Sequence, residues 1–221
     1  MQKNTKLTLI IVCIIAIASI AVNGHYFLQQ RDRNRLFSEL LFMSFISAHS
    51  HLGTAVSVAD GSCINRPLDI EEAFIQLNLA SIQLRRAGTV ASSLNAEFHS
   101  RYSRTLGDFN FLADILSVPC QVADFGGYSI HGIQSDGQIS DSELLFLSRL
   151  TIAVGDIVNE FTTSQNPYAV IQPIRRLSPN EIVNVLDDFL VVWGGLVGHG
   201  FYGGADDNPF TLLDRRHPSN Y

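Results

Sequence analysis

The chain has 221 residues, with 15 basic and 21 acidic side chains and a formal net charge of −6. A hydrophobic content of 46% is enough for a packed core, which argues against a largely disordered protein. The acidic balance argues against nucleic acid as a partner, because nucleic-acid-binding proteins present a basic surface. Both lysines, Lys3 and Lys6, lie close to the N-terminus, so the acidic excess belongs to the remainder of the chain.

An uncharged apolar run extends from Leu7 to Val22. As a helix it would rise about 24 Å, which is short of the roughly 30 Å hydrocarbon core of a bilayer. The helix can gain the missing length by continuing to residue 28. Tyr26 and Phe27 would then lie at the membrane interface, with arginines just beyond them in water.

This run predicts that the chain is attached to a membrane. Residues 1–30 form the anchor domain, a single-pass signal anchor that contacts the lipid bilayer through residues 7–28. The very short tail before the run and the later cysteines favour an extracytoplasmic position for the bulk of the chain, at the cell membrane. A cleaved signal peptide is the alternative, and it would leave a secreted helical protein.

Five segments beyond the anchor show helical periodicity. The first predicted helix covers residues 34–59 and can be continuous with the membrane helix. The second begins at Asp69, where Glu72 can complete a capping box, and it ends at Gly88. The third begins at Thr89 and ends before a proline.

The last two predicted helices have the clearest start signals. Ser140 and Glu143 form a capping box before the fourth apolar stripe. Ser178 precedes a proline at the first helical position, and Glu181 stands three residues after it, which predicts the start of the fifth helix.

Short connections between these helices favour antiparallel neighbours. The sequence therefore predicts an all-α fold, in which the transmembrane helix is followed by an up-down bundle of four to five helices with one long loop. The bundle domain covers residues 31–200. Residues 201–221 have no helical period and are expected to form a loosely ordered C-terminal tail.

Two cysteines follow the anchor. Cys63 comes after the first predicted helix and Cys120 after the third, so an up-down bundle brings both to the same end. We predict a disulfide between them, which would close a loop of roughly 58 residues and stabilise the fold by about 4 kcal/mol. Such a bridge requires an oxidising compartment. The alternative is two unrelated thiols in a reducing cytosol.

The segment 119–139 is the most suggestive region for function. A stretch of this length without regular period is long for a compact helical domain, and such loops are often functional. We predict that Phe125, Tyr128 and His131 bind a protein partner. The alternative is a simple crossover between two helices.

Candidate chemistry elsewhere is sparse. His49 and His51 are two positions apart, so on a helix they diverge by about 200° and cannot share a metal ion. Asp187 and Asp188 diverge by about 100°, and charges in the middle of the fifth helix argue against a second membrane span.

The sequence thus predicts no metal and no cofactor. We expect a non-enzymatic, partner-binding accessory, assembly or sensing component of the cell envelope. The alternative is an enzyme of unrecognised type, with Asp124, His131 and Asp136 of the 119–139 segment as its polar cluster.

Overall fold

The structure, a computed structural model, describes residues 2–62, 69–93, 109–117, 121–125, 128–134, 137–162, 175, 177–193 and 215–216. The predicted helical fold class is confirmed in this part of the chain. The helices are α1 (Gln2–Ala59), α2 (Ile70–Ser92), α3 (109–116), α4 (Asp141–Glu160) and α5 (Pro179–Trp193). The chain divides into two compact units, Met1–Leu36 and Phe37–Tyr221.

The N-terminal unit contains the first part of α1. From Val12 to Leu28 its side chains are exposed, and the large apolar ones are 55–72% exposed. Among the described residues, α1 is the one helix long and apolar enough to cross a membrane, with an 18-residue window of mean hydropathy 1.6. The predicted continuity of this segment with the first helix of the domain is confirmed, because α1 extends unbroken from Gln2 to Ala59.

The second unit is built around an apolar core to which all five helices contribute. Aromatic rings connect several of them. The ring centroid of Phe45 on α1 lies 5.8 Å from that of Phe109 on α3 and 6.5 Å from that of Phe161, which follows α4. Phe109 in turn stacks on Phe189 of α5 at 5.8 Å. Such ring pairs add about 0.5–1.5 kcal/mol to the burial of their area.

Helices α1 and α4 run in opposite directions. Phe42 near the start of this part of α1 contacts Phe161 after the end of α4, with ring centroids 6.4 Å apart. Further along α1, Gly53 faces Thr151 in the middle of α4, where a Cβ atom would lie 4.0 Å from Cγ2 of the threonine. Because the residue number rises in one helix and falls in the other, the pair is antiparallel.

The starts of α4 and α5 agree with the sequence prediction. The backbone N–H of Ser140 donates to Oε2 of Glu143 at 2.8 Å, and the N–H of Glu143 donates back to Oγ of Ser140 at 3.3 Å. Ser178 and Glu181 repeat this arrangement, at 2.7 and 3.3 Å. Both capping boxes satisfy backbone donors that a helix N-terminus otherwise leaves without partners.

Helix α2 begins as predicted but ends later. Asp69 caps it, because its Oδ1 accepts a hydrogen bond from the N–H of Glu72 at 3.2 Å. The helix then continues to Ser92, so the predicted end at Gly88 and the predicted new helix at Thr89 are both wrong. Gly88 is buried. A glycine costs about 1 kcal/mol in a helix interior, which is not enough to end a helix whose neighbouring positions Leu84, Ala87 and Ala91 are buried.

A small antiparallel sheet occupies part of the segment predicted as an irregular loop. Strand β1 (Gln121–Phe125) pairs with β2 (Tyr128–His131). The prediction of a loop without regular structure is wrong for these residues. In the sequence, Gly126 and Gly127 separate the two strands, and a Gly-Gly pair between short alternating runs is typical of a hairpin.

A third short strand, β3 (Arg215–Arg216), pairs with β2 on the side away from β1. It lies within residues 201–221, whose loose order stays a prediction. Cys63 and Cys120 lie outside the described residues, and the disulfide stays a prediction. Cys13, in the N-terminal part of α1, is exposed and unpaired.

Residues after the hairpin close the C-terminal end of α3. The N–H of Ile133 donates to the carbonyl of Ile115 at 2.9 Å, and the side-chain amide of Gln134 donates to the carbonyl of Leu116. The last carbonyls of a helix have no partner within it. Buried Gln134 therefore supplies a hydrogen bond that water cannot supply at this position.

Candidate functional site

A groove with a volume of about 510 Å³ lies between α4 and α5. Small ligands and the anchoring side chains of protein partners bind in concave sites of this size. Its floor is apolar and its rim is charged. Most residues of both sets lie on α4 and α5, whereas Arg175 and Leu177 lie just before α5. The floor is formed by Ala153, Ile157, Leu177, Val185, Phe189 and Trp193.

Helical spacing produces this floor. On α5 the apolar residues Val185, Phe189 and Trp193 recur every four positions, so they form one line along the helix. Phe189 and Trp193 stack with their centroids 6.2 Å apart, and Trp193 meets Phe146 of α4 edge-on at 5.5 Å. Ile157, Phe189 and Trp193 are no more than 6% exposed. The floor is therefore fixed by core packing rather than by flexible surface side chains.

The rim carries more negative than positive charge. Its residues are Asp156, Glu160, Arg175, Glu181, Asn184 and Asp188. Nη2 of Arg175 lies 2.8 Å from Oε1 of Glu181, and Nη1 lies 3.9 Å from Oε2 of Glu160. This arginine bridges the C-terminal end of α4 to the first turn of α5. With four carboxylates and one guanidinium, the rim has a net charge of −3 when all are ionised.

Hydrogen bonds keep one of these carboxylates ionised. The backbone N–H of Ser178 donates to Glu181 and lowers the pKa of its carboxyl group below the ordinary 4.5. The Ser178 hydroxyl and the Arg175 guanidinium lower the pKa further, because each favours the charged form. Glu181 is thus an anion at neutral pH, suited to binding and not to donating a proton.

The predicted binding residues lie on the β1–β2 hairpin. The strand register pairs Phe125 with Tyr128 where the strands meet the turn, and Gln121 with His131 at the opposite end. His131 is therefore separated from Tyr128 by the length of β2, about 10 Å. Of the alternative polar cluster, Asp124 lies in β1, and Asp136 lies outside the described residues.

His49 and His51 face different helices. The ring of His49 lies against Gly155 of α4, with Nε2 2.9 Å from the place that a Cβ atom would take there. Nδ1 of His51 lies 2.7 Å from Oε1 of Gln76 on α2. No group of three or more His, Cys, Asp or Glu side chains suited to a metal ion occurs in the described ranges.

The sequence prediction missed the groove, although part of the signal was present. Asp156 and Glu160 are four positions apart, and Glu181 and Asp188 are seven apart, so each pair lies on one helix face. The mutual approach of those faces is a tertiary contact that periodicity does not reveal. Comparisons of the chain with protein-family models, with curated proteins and with solved structures give no match.

Proposed function

We propose that this protein is a non-enzymatic, membrane-anchored binding protein, an accessory, assembly or sensing component of the cell envelope. The observation that carries the proposal is the exposed apolar run from Val12 to Leu28. Burying a large aliphatic or aromatic side chain of this kind gains about 1.5–3 kcal/mol. A bilayer would bury this run, because residues 7–28 of α1 extend over about 33 Å of helix and so can cross the roughly 30 Å hydrocarbon core.

The proposed domain architecture is an up-down bundle. The opposed directions of α1 and α4 support it. Helices α4 and α5 also pair in opposite directions, since Phe146 meets Trp193 at one end and Glu160 shares Arg175 with Glu181 at the other. In this architecture the predicted Cys63–Cys120 bridge joins two connections at one end of the bundle, on the extracytoplasmic side.

The electrostatics of the groove support a binding role. A general acid or base that works near neutral pH needs a pKa tuned towards that range. The pKa of Glu181 is shifted the other way, and Arg175 is held between two carboxylates. An apolar floor with a charged rim resembles the anatomy of protein-binding surfaces, which have an apolar centre and a polar edge.

The membrane attachment can be tested with arginines placed in the anchor. Replacing both Ile14 and Ile17 by arginine should release the protein from alkali-washed membrane pellets, because each charge at mid-bilayer costs about 2.5–3.5 kcal/mol. The matched control replaces both Ile75 and Ile82 on α2, which are also exposed, by arginine. This variant should stay in the pellet. Release of wild-type protein by the same wash would contradict the proposal.

The intact mass of the membrane-bound protein distinguishes the anchor from a cleaved signal peptide. The proposal requires the anchor residues to be retained. Because the extracytoplasmic side is either periplasmic or extracellular, both of which lie beyond the cell membrane, protease is added to right-side-out membrane vesicles, where it should remove the helical domain. A protected domain would contradict the proposed orientation.

The hairpin is the second surface proposed for partner binding. Alanine at Phe125, Tyr128 and His131 should reduce capture of the native partner from envelope extracts, with an unchanged circular dichroism spectrum. Alanine at Leu145, an exposed apolar residue of α4, is the control and should leave capture intact. Equal capture by both variants would remove the hairpin from the binding surface.

A further inference from the structure

We infer that the α4–α5 groove is the docking site for a cationic amphipathic helix of a protein partner. This inference rests on the proposed binding function. In addition to that function, it assigns the surface at which the partner binds and the charge and apolar pattern of the partner.

The dimensions of the groove favour a single row of anchoring side chains. Along α5 its lining extends from Glu181 to Trp193, which is about 18 Å of helix. Its apolar residues Val185, Phe189 and Trp193 form one line along α5, so the groove offers a single row of contacts to side chains that enter it. An amphipathic helix laid along the groove would insert residues at positions i, i+4 and i+7, as in the helix-in-groove mode of recognition.

The apolar surface continues beyond the groove. Ile152 stands on α4 one turn before Asp156, and its side chain is 65% exposed. A ligand confined to the groove would leave this residue in water. A helix lying along α4 and α5 would also cover Ile152, which adds apolar area outside the groove itself.

Charge selects the partner. Arg175 pairs with Glu160 and Glu181 at one end of the groove. Asp156 on α4 and Asp188 on α5 are exposed, and the guanidinium of Arg175 is directed at the two glutamates. A helix with lysine or arginine flanking its apolar stripe would place cations beside both aspartates. An acidic helix or an anionic lipid headgroup would meet repulsion there.

The single tryptophan of the chain provides the readout. Trp193 lines the groove, so its fluorescence reports on occupancy without a label. The full chain in non-ionic detergent is titrated with a synthetic leucine–lysine amphipathic peptide of about 18 residues, which is long enough to form helix. A leucine–glutamate peptide with the same apolar stripe is the matched ligand. We expect a saturable spectral change with the lysine peptide and none with the glutamate peptide.

Variants of the rim test the assignment to this groove. Replacing Asp156 and Asp188 by asparagine should weaken the lysine peptide roughly 3- to 10-fold, and added salt should reduce that difference. Replacing Glu71 and Asp141 by glutamine and asparagine removes two charges from exposed helix starts outside the groove, and should leave affinity unchanged. Comparing variants in the same micelles cancels the partition of the peptide into detergent.

Three outcomes would overturn the inference. These are equal responses to the two peptides, equal affinity of the Asp156/Asp188 variant and wild type, and displacement of the lysine peptide by spermidine at similar concentration. The last would assign the groove to a small organic cation. Any of them, with the wild-type chain still retained in washed membranes and capture still dependent on the hairpin, would refute the groove assignment while leaving the proposed function intact.

Discussion

Two glycines inside helices face neighbouring helices at different distances. A Cβ atom on Gly155 would lie 2.9 Å from Nε2 of His49, whereas one on Gly53 would lie 4.0 Å from Cγ2 of Thr151. The first distance requires a neighbour to move, and the second is an ordinary van der Waals contact. Alanine in a helix interior is favoured over glycine by about 1 kcal/mol, so the neighbour decides the sign of the change.

We therefore expect Gly53→Ala to raise the free energy of unfolding by about 0.5–1 kcal/mol. Gly155→Ala should give a smaller gain or a loss, because the imidazole ring must rotate away. In a His49→Ala background the same substitution should stabilise by the full amount. Denaturant unfolding of the four proteins in this double-mutant cycle measures the coupling, and additive effects would show that His49 is not the obstacle.

Glu181 makes the stability of α5 depend on pH. Its pKa is lower in the folded protein than in the unfolded chain, so its stabilising contribution is present above the ordinary value of 4.5 and is lost as the pH falls through the folded value. The melting temperatures of wild type and Glu181→Gln should differ at neutral pH and converge in acid. A difference that is independent of pH would mean that the charge of Glu181 has no part in the effect.

Residue patterns predicted the helix starts well because capping is local. Asp69, Ser140 and Ser178 each bond to the residue three positions later, which the sequence displays directly. The stop at Gly88 was predicted wrongly for the opposite reason. Whether a glycine ends a helix depends on what packs against it, and Gly88 is buried.

Within α1 the burial of neighbouring positions alternates sharply. Phe45 has no exposed surface, while Met43, two positions earlier, is 54% exposed. A buried and an exposed position of the same helix can therefore be compared directly. We expect Phe45→Ala to lower the free energy of unfolding by about 3–5 kcal/mol, because it leaves a cavity beside Phe109 and Phe161.

The Met43→Ala control should change the free energy of unfolding by less than about 0.5 kcal/mol, as exposed sites usually do. Chemical denaturation followed by helical circular dichroism compares the two variants. Similar losses of unfolding free energy in the two variants would mean that Met43, too, is buried in the folded protein.

At the level of elements, helical period predicted α1, α4 and α5 because each has a long apolar stripe. The hairpin escaped because its strands contain five and four residues, too few for a period to emerge. Its clearest sign is the Gly126-Gly127 pair between the two strands. Strand β3, of two residues, carries no periodic signal.

For the molecule as a whole, the redox state of the cysteines tests compartment and topology together. Non-reducing alkylation of purified protein should leave Cys63 and Cys120 unmodified, and reduction should add two labels to them. Cys63→Ser should expose Cys120 to alkylation without reduction. Two thiols that alkylate freely in native protein would contradict both the bridge and the oxidising compartment.

The arrangement of the whole molecule was the least predictable from sequence. Short connections favoured antiparallel sequential neighbours, and the up-down bundle stays a proposal. The structure shows that α1 and α4 are antiparallel. At the groove, however, Arg175 lies between Glu160 at the end of α4 and Glu181 at the start of α5. These two glutamates are on different helices, so local patterns do not show that they meet at one arginine. The sequence shows the charges of each helix but not which faces meet.

The two hydrogen bonds at the end of α3 have a consequence for motion. The N–H of Ile133 and the side-chain amide of Gln134 donate to the carbonyls of Ile115 and Leu116. The hairpin β1–β2 is thus inserted between two segments that are hydrogen-bonded to each other at the core. The hydrogen bonds of such an inserted hairpin can open locally while the helices stay folded. Its amide hydrogens should exchange with solvent sooner than those around Phe45. A ligand that binds the strands would slow the exchange of their amide hydrogens and leave the exchange of the other amides unchanged.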